Sequence, residues 1–363
     1  MIPIDTVRIA IVGTGHIADA EHMPAFRLAG DSVQVIACVD VDPVRAAGFA
    51  SRWQVPASYD DLGQMLASEK PDLVVVCTPP VAHREAIIQC LDAGAWVWCE
   101  KPPVLSLAEY DSIAAHESPG GPYVAYVFQQ RFGSGAEQLR QQIAHGELGK
   151  NFVGVCNTLW YRNAEYFDLP WRGRWATEGG GPTMGHGIHQ IDLALSLLGD
   201  WREVRALAVT LDRPVETEDV SMAMVVLESG AVLSIVNSLL SPRETSYLRF
   251  DFEHATVELT HTYGYDNSNW SWTPAAHVTD ERRTAAWAPT DNIRSSHGSQ
   301  LTDILLSMAA GVRPRVSGDD ARRTLEFIAG LYQSAQTGLP VLRSEMTTGN
   351  PYYRSMNGAA ASA

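Results

Sequence analysis

The chain has 363 residues, a formal net charge of −15, 45% hydrophobic residues and 19% charged residues. This length exceeds what one hydrophobic core ordinarily organises, so two domains are expected. The acidic balance argues against a nucleic-acid or anionic-membrane partner, and no apolar run approaches membrane-spanning length.

In chain order, the apolar run Val7 to Val12 enters Gly13-Thr14-Gly15-His16-Ile17-Ala18, and a second apolar run ends twenty-two residues later at Asp40. The first run predicts a buried strand, with Gly13 supplying the dihedrals of the tight turn that follows. Gly15 lets a pyrophosphate approach the backbone and the next helix's N-terminus, and Ala18 lets that helix pack closely. His16 and Ile17 belong to the same phosphate-facing turn. Asp40 suits the two ribose hydroxyls of an adenosine and would repel a 2′-phosphate, which favours NAD over NADP. The competing reading of Asp40 as a cap for helix 43–53 suits Asp42, before Pro43, better.

An apolar strand at 72–77 stops at Thr78-Pro79-Pro80, and a helix over about 81–93, closed by Gly94, comes next. Strand 95–99 delivers Glu100-Lys101-Pro102-Pro103, and helix 106–116 carries Ser106 and Glu109 in capping-box positions. Ser118 to Pro122 breaks the pattern before strand 123–128. Alternation of strands and helices predicts a doubly wound parallel sheet, whose ligands sit beyond the strands' carboxyl ends. Gly13, Asp40, Thr78 and Lys101 all fall on that edge.

After about residue 125 the texture changes. A helix near 134–145 precedes alternating segments at 152–161, 203–211, 219–228, 231–238, 245–252 and 255–260, with Glu228 to Ala231 as a hairpin turn. Strands without intervening helices predict an antiparallel or mixed sheet. Helices at 187–198, 296–310 and 318–336 complete this domain, and a polar tail begins at Thr347, with Gly358 to Ala363 expected to be disordered. The fold class is therefore α/β in two parts: a dinucleotide-binding domain over 1–124 and a substrate and oligomerisation domain over 125–346, then a tail over 347–363. Five cysteines without CxxC spacing, and no basic stretch leading into an apolar run, predict a reducing, cytoplasmic setting.

The sequence resembles the Gfo/Idh/MocA oxidoreductases along nearly its whole length. The marks are the Gly13–Ala18 turn, Thr78-Pro79-Pro80 with His83 after it, Glu100-Lys101-Pro102, and Gly179-Gly180-Gly181 leading to His189-Gln190-Ile191-Asp192. The resemblance implies a Rossmann domain, then an α/β domain with a large, mostly antiparallel open sheet commonly buried in dimers or tetramers, and NAD(P)-dependent oxidation or reduction of a sugar, cyclitol or related polyol. It carries the family's lysine onto Lys101, which would stabilise an alkoxide or exchange its proton. Cofactor contacts would come from Gly13, Gly15, His16, Ile17, Asp40, Thr78, Pro79, His83, Glu100, Lys101 and Gln129.

The second implied catalytic residue is His189. In many members an acid lies four positions earlier; here that position is Gly185, which shifts weight to Lys101. The glycine leaves two further readings open, that the neighbour His186 helps or that room is made for a bulkier substrate, and His189 and Asp192, at i and i+3, could pair instead. His186, His189 and Asp192 also imitate metal-ligand spacing, but they would wrap round the helix with no evident fourth ligand, so no metal is expected. Trp160-Tyr161-Arg162 and Trp171-Arg172 offer aromatic faces and guanidinium forks to a sugar ring, Trp171 or Arg172 alternatively serving the nicotinamide end. The plain alternative is that these tryptophans are core or interface residues. Gln129 and Arg131 would face the substrate by family analogy, with His297 as a weaker candidate. Two functional readings stand at this point: an NAD-dependent sugar or polyol dehydrogenase, with or without release of NADH, and a dinucleotide-binding regulator that has lost turnover.

Overall fold

Runs of Val, Ile, Leu and Ala become strands here wherever Gly, Pro or Asp punctuates them. The computed structural model describes residues 6–359. Its first elements are β1 (Val7–Val12), α1 (Met23–Ala29), β2 (Val33–Val39), α2 (Pro43–Trp53), β3 (Ala57–Tyr59), α3 (Leu62–Glu69), β4 (Leu73–Val76), α4 (His83–Asp92), β5 (Trp96–Cys99), α5 (Leu107–Ile113) and β6 (Val124–Tyr126). Next come α6 (Ser134–Ala144), β7 (Asn151–Tyr161), α7 (Ile188–Leu198), β8 (Trp201–Val209), β9 (Val220–Leu227), β10 (Val232–Ser238), β11 (Leu240–Phe252), β12 (Ala255–His261) and β13 (Trp270–Pro274). The chain closes with α8 (Glu281–Ala285), α9 (His297–Ala310), α10 (Gly318–Thr337), β14 (Val341–Leu342) and α11 (Pro351–Arg354).

One compact unit takes the chain through Val104 together with residues 109–127 and 296–321. Its sheet has the order β3-β2-β1-β4-β5-β6, and each pairing is parallel. Both faces are covered, so strands such as Leu73–Val76 are buried throughout. Chain direction across the sheet reverses between β1 and β4, the switch point where loops at the carboxyl ends part and leave a crevice. The sequence reading grouped α9 with the later domain. The structure places it here, with Leu301, Ile304 and Leu305 in the same core as Ile9, Ile11 and Trp98. An i, i+3, i+4 apolar pattern announces a buried face without naming the sheet that buries it.

The second unit takes residues 105–108, 128–295 and 322 onward. Its eight strands run β13-β12-β11-β7-β10-β9-β8-β14, antiparallel except for β7 beside β10. The turn at 228–231 closes through the Leu227 N–H on the Ala231 carbonyl, with Gly230 at φ 85°. Helix α7 packs on β7 and β11, which buries alternate residues of those strands. The alternate positions elsewhere carry Leu207, Met222, Met224 and Val232 to solvent, Met224 being 67% exposed. The tail is less simple than its composition predicts. Asn350 caps α11 by accepting the Tyr352 N–H, and Tyr352 and Tyr353 are buried. Residues 360–363, part of the segment expected to be disordered, lie outside the described residues.

Candidate functional site

The turn after β1 is shaped by what it cannot hold. Gly13 has φ +90°, and a β-carbon there would lie 2.7 Å from the Cys77 backbone after β4. At Gly15 a β-carbon would meet nothing within 4 Å, so the backbone stands open to a ligand. These two positions fit a dinucleotide pyrophosphate, with His16 exposed and Ile17 half-buried just beyond. Asp40 follows β2 and accepts the Thr14 N–H at 3.0 Å, the Thr14 hydroxyl at 2.9 Å and the Asp42 N–H at 3.1 Å. Arg45 adds an ion pair at 3.3 Å. Burial pushes the Asp40 carboxyl up, but the Asp42 and Thr14 hydrogen bonds and the Arg45 charge outweigh it and hold its pKa below the ordinary value. Asp42 caps α2 through the N–H groups of Val44 and Arg45, so that duty does not fall on Asp40.

The same edge carries Thr78, half-buried, and Pro79, exposed. His83 is wholly buried; its ring nitrogens lie 2.9 Å from the Thr78 carbonyl and 3.0 Å from the Pro102 carbonyl. It thus ties the Thr78 turn to the Lys101-Pro102 loop, and any service to a cofactor runs through those neighbours. Lys101 is half-buried directly beyond β5. Glu100, beside it, is 5% exposed and turned inward. His22 donates to its carboxylate at 2.8 Å and His297 at 3.1 Å, while the Lys101 N–H stands 3.3 Å from the other oxygen. Burial alone would raise the Glu100 pKa, but the two imidazoles hold it well below the ordinary value. Burial pushes His297 down, yet its hydrogen bonds to the Glu100 and Glu21 carboxylates and their charges carry it up to about 9. Burial holds His22 below the ordinary value.

The triad is thus a carboxylate between a cationic and a neutral imidazole. This corrects the sequence reading of His297 as a substrate-side group, since it is spent on Glu100 in the core. Among the described residues these three also form the one His/Cys/Asp/Glu group compact enough for a metal, their ligand atoms within 4.8 Å. Those atoms are already bonded to one another.

In the second unit, Trp160, Arg162, Tyr166, Trp171, Arg172 and His186 gather. The Arg172 guanidinium lies 3.9 Å from the Tyr166 ring centre and 4.2 Å from that of Trp171. Arg162 lies 5.0 Å from the Trp160 ring centre, and the Tyr166 hydroxyl meets His186 Nε2 at 3.3 Å. Tyr161 is placed apart from them, exposed and beneath Arg213 at 5.3 Å. Gln129 is buried.

The Gly-rich turn is anchored from below: Glu218 accepts the Gly181 N–H at 3.0 Å, the Thr183 N–H at 3.1 Å and the Tyr332 hydroxyl at 2.9 Å. A π-helical turn, Thr183–Gly187, then leads into α7, the wide-turn geometry often found beside functional residues. His189, in the first turn of α7, is 2% exposed and meets Tyr263 edge-on at 5.8 Å. Asp192, the i, i+3 neighbour, accepts from Arg131 Nε at 2.6 Å and from the Thr324 hydroxyl at 2.9 Å. Arg131 is correspondingly a buried partner of α7. Sequence reasoning missed Tyr166 and Glu178. Their only signal was their place inside the aromatic and arginine-rich stretch.

Comparison with known proteins gives a consistent picture. Residues 7–124 match the model of the GFO/IDH/MocA oxidoreductase family, NAD-binding Rossmann fold, and residues 136–275 match the GFO/IDH/MocA C-terminal domain. A D-glucoside 3-dehydrogenase of Escherichia coli is 26% identical over 92% of this chain and 97% of its own. A D-xylose 1-dehydrogenase (NADP(+)) of Haloferax volcanii is also 26% identical, over 91% of this chain and 98% of its own. The WlbA dehydrogenase of Chromobacterium violaceum, solved with NADH and UDP-GlcNAcA, superposes with a TM-score of 0.82 at 25% identity, covering 94% of this chain and 97% of that one.

Proposed function

Since this chain belongs to the Gfo/Idh/MocA oxidoreductase family, we propose that it oxidises or reduces a secondary hydroxyl or carbonyl of a sugar, cyclitol or glycoside with NAD. The observation that carries the reading is the half-buried Lys101 at the carboxyl end of β5. It lies on the sheet edge that also holds the open Gly15 backbone and the carboxylate of Asp40. Gly13, Gly15, His16, Ile17, Asp40, Thr78 and Pro79 would hold the dinucleotide, which when bound supplies the hydride acceptor or donor. Asp40 favours NAD because its charge repels a 2′-phosphate, and Arg45, the nearby cation, is already paired with it. The NADP(+)-dependent relative makes that choice a matter for measurement.

In this reading the Lys101 ammonium hydrogen-bonds the reacting oxygen and stabilises alkoxide character as the hydroxyl proton leaves. His189 holds that proton on its imidazole. Trp171, Arg172, Arg162 and His186 bind the ring and its hydroxyls, an aromatic face and guanidinium forks suiting a pyranose. The apolar residues exposed on the second unit's sheet support a homodimer or homotetramer joined through that face. Five buried, unpaired thiols support a reducing, cytoplasmic setting.

The test is NADH formation from NAD and a panel of monosaccharides, cyclitols and glycosides, with Lys101→Ala as control. Turnover that the control loses sustains the dehydrogenase. Tight NAD binding without turnover or altered product on any member of the panel would return the chain to the regulator reading.

A further inference from the structure

Resting on the dehydrogenase reading above, we infer that Glu178 is the positioning carboxylate for His189, reaching it from outside the helix that carries it. An imidazole that takes a proton from a hydroxyl works best beside a carboxylate that fixes its ring and stabilises the cation formed. On a helix, the natural place for such a group is one turn earlier. For His189 that place is Gly185.

Packing does not demand glycine there. A β-carbon at Gly187 would fall 2.1 Å from the buried Asn237 side chain, which would have to move. A β-carbon at Gly185 would meet one atom within 4 Å, and at ordinary contact distance: Glu178 Oε1, at 3.6 Å. The space an aspartate at 185 would fill is therefore bordered by a carboxylate from elsewhere in the chain. Glu178 is 5% exposed and is held from its own side. Its Oε2 accepts the Gly173 N–H at 2.6 Å, and its Oε1 accepts from Arg172 at 3.0 Å. Arg172 in turn stacks on Tyr166, whose hydroxyl reaches His186. Glu178 thus joins the aromatic and arginine cluster to the turn that precedes His189. Glycine at 185 is the residue that leaves room for it.

The test uses a substrate that the wild-type enzyme turns over and compares Glu178→Gln, Gly185→Asp and the double variant. Glutamine still offers an acceptor to the Gly173 N–H but carries no charge. Glu178→Gln is expected to lower kcat by about 10- to 100-fold with KM held within a few-fold. The double variant, which restores a carboxylate at 185, is expected to recover most of that loss. Gly185→Asp alone crowds two carboxylates and should gain nothing. Should Glu178→Gln fail to fold, Glu178→Asp retains the charge but retracts it, and kcat should fall with KM again held. A rise in KM with kcat unchanged, or no recovery in the double variant, would overturn the assignment and leave Glu178 as a brace for the 172–173 turn. A wild-type protein that binds NAD and turns over nothing overturns the dehydrogenase reading and this assignment with it.

Discussion

Glu100 and Glu178 are equally buried, each 5% exposed, and both lie next to residues assigned to chemistry, yet their surroundings differ in kind. Glu100 spends one oxygen on two imidazoles inside a closed core, and its charge is balanced by His297. Glu178 is held by a backbone N–H and by an arginine that belongs to a partly open aromatic cluster, and it borders a position without a side chain. Burial therefore does not distinguish an acid that holds a fold from one that serves a reaction. The source of its partners does: a saturated internal pair points to stability, and a partner shared with a binding surface points to work.

The largest effect should come from the residue beside the closed acid. Lys101→Ala is expected to cut kcat by roughly 10²- to 10⁴-fold while NAD binding, followed by fluorescence titration, persists. If binding and turnover fell together, Lys101 would belong with the fold rather than the chemistry. Next is Glu100→Gln, which leaves buried His297 with only the longer contact to Glu21 and should cost about 3 kcal/mol of unfolding free energy by denaturant titration. The same pair sets a pH dependence. His297 is raised in the folded protein to about 9, so its contribution is fully present below its ordinary pKa and is lost as pH rises through about 9. Roughly 3 kcal/mol is expected to disappear across that window in the wild type, and the slope should flatten in Glu100→Gln. A flat wild-type profile would break the contrast between the two acids.

Asp40 is a third case, an acid bonded internally to Thr14 and Asp42 and proposed to bind the adenosine ribose. Asp40→Ala is expected to raise the KM for NAD by about 10-fold and to narrow the preference over NADP, as steady-state kinetics with both cofactors would read. The smallest effect should come from Met222→Ser with Met224→Ser on the exposed sheet face. Dissociation of the proposed homodimer or homotetramer at lower dilution by sedimentation is expected, with the thermal midpoint little changed. An unaltered sedimentation profile would overturn the proposal that this face joins subunits.

The parts of the molecule legible in sequence are those whose cause is local. The strand, the Gly13 turn and Asp40 follow from period and spacing over a few tens of residues, and so does the hairpin at 228–231. The fate of α9 was not legible, because Leu301, Ile304 and Leu305 describe a face and not its destination. The Asp192–Arg131 pair was hidden for a related reason: helical spacing reports neighbours within the helix and says nothing of a buried guanidinium sixty-one residues away. Gly185 read as a missing acid because the carboxylate beside it comes from irregular chain, where no periodicity reports which way a side chain turns.

The first unit is completed by residues 296–321, so its core is interrupted by most of the second unit. During synthesis the ribosome delivers β1 to β6 long before Leu301, Ile304, Leu305 and His297 emerge, and Glu100 waits with one imidazole instead of two. A fragment ending at residue 124, although it spans the whole matched Rossmann segment, would leave this apolar face open and this charge unbalanced. The nucleotide-binding half is thus the first to be made and the last to be finished.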